Sequence, residues 1–273
     1  MSNFDDYIKN SLDCFKDNKI KDAMKYCLEG GKRFRPNIMF AIIKGFGLPE
    51  NLGYPTACAL EYIQTYSLIH DDLPGMDNDD FRRNKLSCHR MFGEDIAILT
   101  GDSLLTHSFS CITNSEYSDE LKVKLIGILA KYAGLDGMIY GQLLDVTTSS
   151  SIDENMLFEI QDNKTSGLFK IACLSAMSIC GMDNYDYFEK LGSKIGVVFQ
   201  NQDDLFDIIK SEEDTGKSNS DIRNEKITAL SFKTIDELKE YIDFLFKDLY
   251  TYLDSANFDT SYLVEIIKKM ECR

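Results

Sequence analysis

Two groups of aspartates carry most of the chemistry this sequence can offer. Asp71 and Asp72, followed by Asp77, Asp79 and Asp80, put five carboxylates into ten residues, and Asp203, Asp204 and Asp207 put three more into five. Carboxylates this close repel one another; at an effective dielectric near 20, a pair about 4 Å apart costs about 4 kcal/mol. A bound divalent cation removes that cost, whereas the ordinary fate of an acidic run, a solvated face, leaves the charges to water. An EF-hand starting at Asp77 needs glycine and glutamate where Arg82 and Cys88 stand. Three histidines (His70, His89, His107) without an HExxH pattern argue against zinc. Magnesium fits best, because it takes one or two carboxylates and completes its shell with water and substrate phosphate.

The complementary cations are present. Gly30-Gly31-Lys32-Arg33-Phe34-Arg35-Pro36 sets bases on a glycine-opened approach to a helix start, and Arg82-Arg83 follow the first aspartate group. Lys164-Thr165, Lys217 and Lys226 fall near the polar parts of the second half. Gly216-Lys217-Ser218 imitates a nucleotide-binding P-loop, but Ser211 stands where that loop requires glycine and no strand precedes it. Thirty basic against 45 acidic side chains leave a net charge of −15, which argues against a nucleic-acid partner. So acidic a protein holds phosphates through bridging metal or through local arginine and lysine forks, and this chain supplies both. The combination points to diphosphate esters: one gripped through magnesium, a second held by bases without metal.

The elements that must position these groups read as helices. Apolar residues recur with 3.6-residue spacing over about 3–16, 19–29, 36–46, 54–72, 94–113, 119–147, 152–161, 165–180, 185–210, 222–231, 234–253 and 258–271. Only four prolines interrupt 273 residues, and 44% of the chain is apolar, so the expectation is a single all-α domain over 1–273. Segment 57–72 is apolar nearly all round, the pattern of a central helix, and it ends in Asp71-Asp72. Along 191–210, Ile195, Leu205, Ile208 and Ile209 lie within about 80° of Val198, while Gln200, Asp203, Asp204 and Asp207 gather about 180° away. No apolar stretch approaches the roughly 20 residues that span a bilayer, and the amino terminus lacks a signal-peptide pattern. Eight scattered cysteines without a CxxC pair read as small hydrophobes. The expected location is the cytoplasm, without stable membrane insertion.

Taken together, GGKRFRP, SLIHDDLPGMDNDDFRR, GEDIAILTGDSLL, GQLLD, NKTSGLF and FQNQDDLFD, then Asp221 and Lys226, resemble the trans-isoprenyl diphosphate synthases (polyprenyl synthetases) in order from about residue 28 to 228. The resemblance implies helices around a deep apolar cavity, a homodimer, and coupling of an allylic diphosphate (dimethylallyl, geranyl) with isopentenyl diphosphate. By matching position, Asp71, Asp72 and Asp77 would bind magnesium on the allylic diphosphate, as would Asp203, Asp204 and Asp207. Arg82, Lys164 and Lys217 would contact that diphosphate, with Lys226 among the substrate-binding residues, and Thr165 and Gln200 would line the reacting carbons. Lys32, Arg35, Gln64 and Arg83 would take the isopentenyl diphosphate.

Three departures stand out. Gln64 replaces a histidine common in bacterial relatives; it lies seven residues before Asp71 and shares its helix face. Asn84 replaces the glycine that usually follows the double arginine, and asparagine tolerates a left-handed backbone. Asn201 and Phe206 replace aliphatics without disturbing the acids. The resemblance implies that the residues four and five before the first aspartate help form the floor of the tail cavity and so bear on product length. Ser67 shares the Asp71 face whereas Tyr66 lies about 140° round, yet short-chain bacterial farnesyl diphosphate synthases carry an aromatic at the Tyr66 position. The expected main product is farnesyl diphosphate, with geranylgeranyl diphosphate the alternative. A terpene cyclase would leave Lys32, Arg35 and Arg83 idle, and a non-catalytic partner subunit would have lost acids that this chain keeps.

Overall fold

The computed structural model describes residues 3–147, 152–209 and 228–272. The fold is all-α, as expected. The helices are α1 (Asn3–Asn10), α2 (Lys19–Leu28), α3 (Phe34–Gly45), α4 (Tyr54–Asp71), α5 (Cys88–Phe92), α6 (Glu94–Thr113), α7 (Asp119–Ala133), α8 (Met138–Thr147), α9 (Glu154–Lys164), α10 (Ser166–Ile179), α11 (Tyr185–Ile209), α12 (Ile235–Leu253) and α13 (Ser261–Glu271). Single 3₁₀ turns occur at Glu50–Gly53 and Ala229–Ser231. Two-residue strands β1 (Phe81–Arg82) and β2 (Lys85–Leu86) form an antiparallel hairpin. None of the described helices is long and apolar enough to cross a membrane.

The chain gathers into two compact units. Of the described residues, one comprises 3–33 and 54–117; the other comprises 34–53, 118–147, 152–209 and 228–272. In the first unit α4 is the central element, as its all-round apolar pattern predicts. Ala57, Cys58, Ala59, Leu60, Tyr62 and Ile63 expose nothing, and α6, α2 and α1 pack around it. Its one buried acid, Glu61, pairs with Arg33, which also pairs with Asp5 at 3.2 Å and donates to the Leu28 carbonyl at 2.7 Å. That network anchors the end of the glycine-rich loop to the central helix, since an isolated charge at such depth is costly.

In the second unit α10 takes the central place, buried from Ser166 to Ser178 against α3, α7, α9 and α11. Helix α12 starts on a capping box in which Thr234 and Glu237 satisfy each other's backbone amides, and it buries Leu238, Ile242, Phe246, Leu249 and Leu253 at helical spacing.

The periodic pattern over 119–147 is two helices rather than one. Gly134 and Gly137 interrupt it, and the amides of Gly137 and Ile139 both donate to the Gly134 carbonyl, so the chain turns between α7 and α8. The first helix stops at Asn10, short of the expected 16, and continues as a turn. Strands of two residues and the five-residue α5 are too short for any periodicity to signal. Of the helix expected at 222–231, residues 222–227 lie outside the described residues, and Ala229–Ser231 forms a 3₁₀ turn.

Candidate active site

The structure divides the first acidic group. Asp72 and Asp79 are buried and both pair with Arg82, whose Nε lies 3.1 and 3.3 Å from the two Asp72 oxygens and whose Nη2 lies 3.4 Å from Asp79. Asp80 pairs with Arg90 at 3.1 Å. Burial pushes the Asp72 carboxyl up to about 6, against the pull of Arg82. Asp71 and Asp77 remain half-buried at the mouth of a loop that closes on itself: the Asp77 amide donates to the Asp71 carbonyl at 2.9 Å, and the Asn78 amide to the Leu73 carbonyl at 3.1 Å. The intervening Pro74-Gly75-Met76 is exposed, and Asn78 takes a positive φ of 54°.

The hairpin that carries the arginines turns at Arg83 and Asn84, with φ of 55° and 59°. Two successive left-handed residues make a type I′ turn, the form that matches strand twist. Asparagine therefore fills the usual glycine position without opening the turn. Arg83 lies across Gly31, where an added Cβ would sit 3.4 Å from its guanidinium carbon, and it donates to the Cys27 carbonyl at 3.1 Å. The absence of a side chain at residue 31 thus brings the lysine- and arginine-bearing loop beside the hairpin. Burial lowers the Arg83 pKa, with Arg33 and Arg82 adding to it and Glu61 opposing. Such a crowd of cations favours an anion. Lys32 is exposed on the same loop, and the Gln64 Oε1 is enclosed on α4 without a hydrogen-bond partner among the described residues. Tyr66 is buried, its hydroxyl without a partner among the described residues and its ring edge-on to His70 at 5.8 Å, while Ser67 donates to the Gln64 carbonyl.

The second unit holds the other acidic group on α11. Asp204 is buried and its carboxylate accepts from Gln200 Nε2 at 2.8 Å, Gln161 Nε2 at 3.3 Å and the Ala229 amide at 2.9 Å. Thr165 donates to Gln200 Oε1 at 2.5 Å. The chain Thr165–Gln200–Asp204 fixes the Gln200 amide, its carbonyl accepting and its nitrogen donating. Asp203 and Asp207 are half-buried neighbours one turn apart on the same helix. Arg35, at the start of α3, lays its guanidinium over Phe169 at 4.5 Å and Phe199 at 5.5 Å. Lys217 and Lys226 lie outside the described residues.

Sequence reasoning gave no role to Asp145 or Gln161. Asp145 pairs with Lys164 at 2.5 Å, and Gly141 permits it, because a Cβ there would strike the Lys164 amide nitrogen at 2.2 Å. Asp145 and Gln161 fall in or beside motifs the sequence shows, GQLLD and NKTSGLF, but nothing within GQLLD points to Lys164 as the partner of Asp145. Gln142 of GQLLD has both side-chain polar atoms enclosed, without a partner among the described residues.

The donors suit magnesium. They are all carboxylate oxygens, and among the described residues no three histidine, cysteine, aspartate or glutamate side chains already converge on one point. A cation that brings water and substrate oxygens with it needs no such cage.

The polyprenyl synthetase family model matches residues 17–267. The farnesyl diphosphate synthase of Micrococcus luteus is 39% identical over 231 residues, which cover 83% of this chain and 79% of that one. A chloroplastic geranylgeranyl pyrophosphate synthase of Catharanthus roseus is 37% identical over 258 residues, 91% of this chain and 71% of that one. Among solved structures, the geranyltransferase of Helicobacter pylori complexed with magnesium and isoprenyl diphosphate matches with a TM-score of 0.86 at 27% identity, covering 99% of this chain and 94% of that chain. With its acidic motifs, its arginine hairpin and a family match from 17 to 267, this chain belongs to the polyprenyl synthetase family.

Proposed function

We propose that this chain, a short-chain prenyl diphosphate synthase, condenses isopentenyl diphosphate with dimethylallyl or geranyl diphosphate and releases farnesyl diphosphate as its main product. The observation that carries the reading is the division of labour among the acids. Asp71 and Asp77 are held together by the loop, and Asp203 and Asp207 by the helix, while Asp72 and Asp204 hold Arg82 and Gln200 in place. Asp71, Asp77, Asp203 and Asp207 would hold magnesium, with Asp72 and Asp204 behind them. Magnesium, when bound, neutralises the charge that grows on the allylic diphosphate as its C–O bond ionises.

The chain's own groups complete the chemistry. Arg82 and Lys164 meet the leaving diphosphate as preorganised charges, each oriented by a carboxylate partner. Lys217 and Lys226 join the substrate-binding set. The Thr165 hydroxyl and the Gln200 carbonyl turn their negative ends toward the allylic cation. Lys32, Arg35, Gln64 and Arg83 hold the isopentenyl diphosphate, whose double bond attacks that cation. The released diphosphate takes the final proton, so no protein base is needed for that step, and the isopentenyl double bond is itself the nucleophile. Tyr66 bounds the pocket that receives the growing tail, and its ring favours farnesyl over the geranylgeranyl product of longer-chain relatives. Residues 1–273 act as one domain, in a cytoplasmic homodimer.

The test is direct. Purified protein incubated with magnesium, isopentenyl diphosphate and geranyl diphosphate should form farnesyl diphosphate, and EDTA should abolish it. Turnover that persists in chelator would refute the magnesium assignment, and a cyclised hydrocarbon as product would refute the synthase reading.

A further inference from the structure

Asn201 is a polar side chain in an apolar place. It follows Gln200 on α11 and lies about 60° round that helix from Val198, on the face turned to the core. Its exposure is 3%, against 1% for Val198. A buried amide needs partners, and the Asn201 nitrogen has two. It donates to the Val197 carbonyl one turn back at 2.9 Å and to Gln161 Oε1 on α9 at 3.3 Å. Gln161 is buried as well, and among the described residues Asn201 is the one side chain that donates to its Oε1.

These bonds run in one direction. A main-chain carbonyl only accepts, so Asn201 must present its nitrogen to Val197, and the second N–H of that nitrogen meets Gln161 Oε1. Gln161 is left with its own nitrogen toward Asp204, to which it donates at 3.3 Å. Asp204 also accepts from Gln200 Nε2 at 2.8 Å, which leaves Gln200 Oε1 facing the Thr165 hydroxyl. The polarity of the Gln200 amide is therefore continuous with a helix carbonyl three side chains away.

We propose that Gln161 and Asn201 are positioning residues for ionisation of the allylic diphosphate, holding Asp204 in place and, through it, the Gln200 carbonyl. The effect on turnover rests on the reading of Gln200 as a group that faces the allylic cation; the hydrogen-bond chain does not. Without the Asn201 donor, the Gln161 carbonyl would be buried and unsatisfied, and turning the amide over would set its oxygen against the Asp204 carboxylate. The side chain can relieve this only by leaving Asp204. That carboxylate then loses a tie to α9, and Gln200 loses a fixed acceptor. Neither Gln161 nor Asn201 touches substrate in this arrangement, so the loss falls on the transition state, where positive charge grows on the allylic carbon.

The experiment is a double-mutant cycle of Asn201→Leu, Gln161→Leu and the pair, with kcat expressed per folded protein and thermal unfolding measured on the same samples. Each single variant should lower kcat about tenfold, the low end for residues that orient groups in direct contact with a metal or substrate. The KM values for geranyl and isopentenyl diphosphate should stay within about twofold of wild type. Because Asn201 acts through Gln161, the double variant should be no slower than Gln161→Leu alone, and the losses in melting temperature should be less than additive. Independent losses that multiply in kcat and add in melting temperature would overturn the proposal, as would a change confined to either KM. Coupled melting temperatures with an unchanged kcat would overturn the positioning role and leave a purely structural network. If the leucine variants do not fold, the same cycle with alanine at both positions carries the same expectations. If the wild-type protein makes no prenyl diphosphate at all, the proposed function fails, and the melting-temperature cycle still decides whether Asn201 and Gln161 act as one unit.

Discussion

The amide of Asp77 donates to the carbonyl of Asp71 at 2.9 Å, so six residues of chain return the second acid to the helix end that presents the first. Pro74 and Gly75 make the return possible, and Asn78 completes it with a left-handed backbone. Asp71→Asn keeps that backbone bond and removes one charge. It should lower kcat by about a hundredfold or more, the scale seen when a preorganised charge-stabilising group is lost, and raise the magnesium concentration needed for half-maximal rate. A magnesium titration of wild type and variant checks it, and an unchanged titration curve would remove Asp71 from the metal site.

Asp203 and Asp204 are adjacent in sequence and should behave differently. Asp204→Asn leaves one of its three donors facing an amide instead of a carboxylate, so thermal unfolding should show a loss of about 1–3 kcal/mol together with lower turnover. Asp203→Asn should lower turnover with little change in melting temperature. Equal melting temperatures for the two variants would contradict the division drawn between them.

Arg35→Ala should mainly raise the KM for isopentenyl diphosphate and leave that for the allylic substrate near its wild-type value. The same change also uncovers Phe169 and Phe199, so a small loss of stability should accompany it. Steady-state kinetics with each substrate varied in turn separates the effects; a change confined to the allylic KM would refute the assignment.

Tyr66→Phe removes a buried hydroxyl that has no partner among the described residues, so the product should stay the same and stability should not fall. Tyr66→Ala removes the ring and should shift products toward longer prenyl chains. Chromatography of dephosphorylated products reads both variants, and an active Tyr66→Ala enzyme with the wild-type product would exclude Tyr66 from the tail pocket.

Much of the site was legible because its parts are local. The aspartates of each group lie within ten residues or fewer, and helical spacing alone places Asp203 and Asp207 on one face. The long helices were legible for the same reason, through periodicity. Contacts between distant segments were not: no pattern within one element announces that Asp145 answers Lys164, or that Gln161 and the Ala229 amide converge on Asp204. Nor could spacing show that Arg82 takes Asp72 and Asp79 for itself, since five neighbouring carboxylates look equivalent until burial distinguishes them. The division of 119–147 was missed because the pattern of apolar residues runs across Gly134 and Gly137 without a change of phase.

The left-handed backbone of Arg83 sets two selective pressures against each other at one codon. A glycine at that position would adopt φ of 55° without strain and would relax the hairpin, so a screen for thermal tolerance alone should reward it. The same replacement deletes the guanidinium that spans Gly31 and is assigned to the second substrate. Engineering that ranks variants by heat resistance before assaying turnover would therefore drift toward a sturdier protein and, on the proposed assignment of Arg83, toward an impaired synthase.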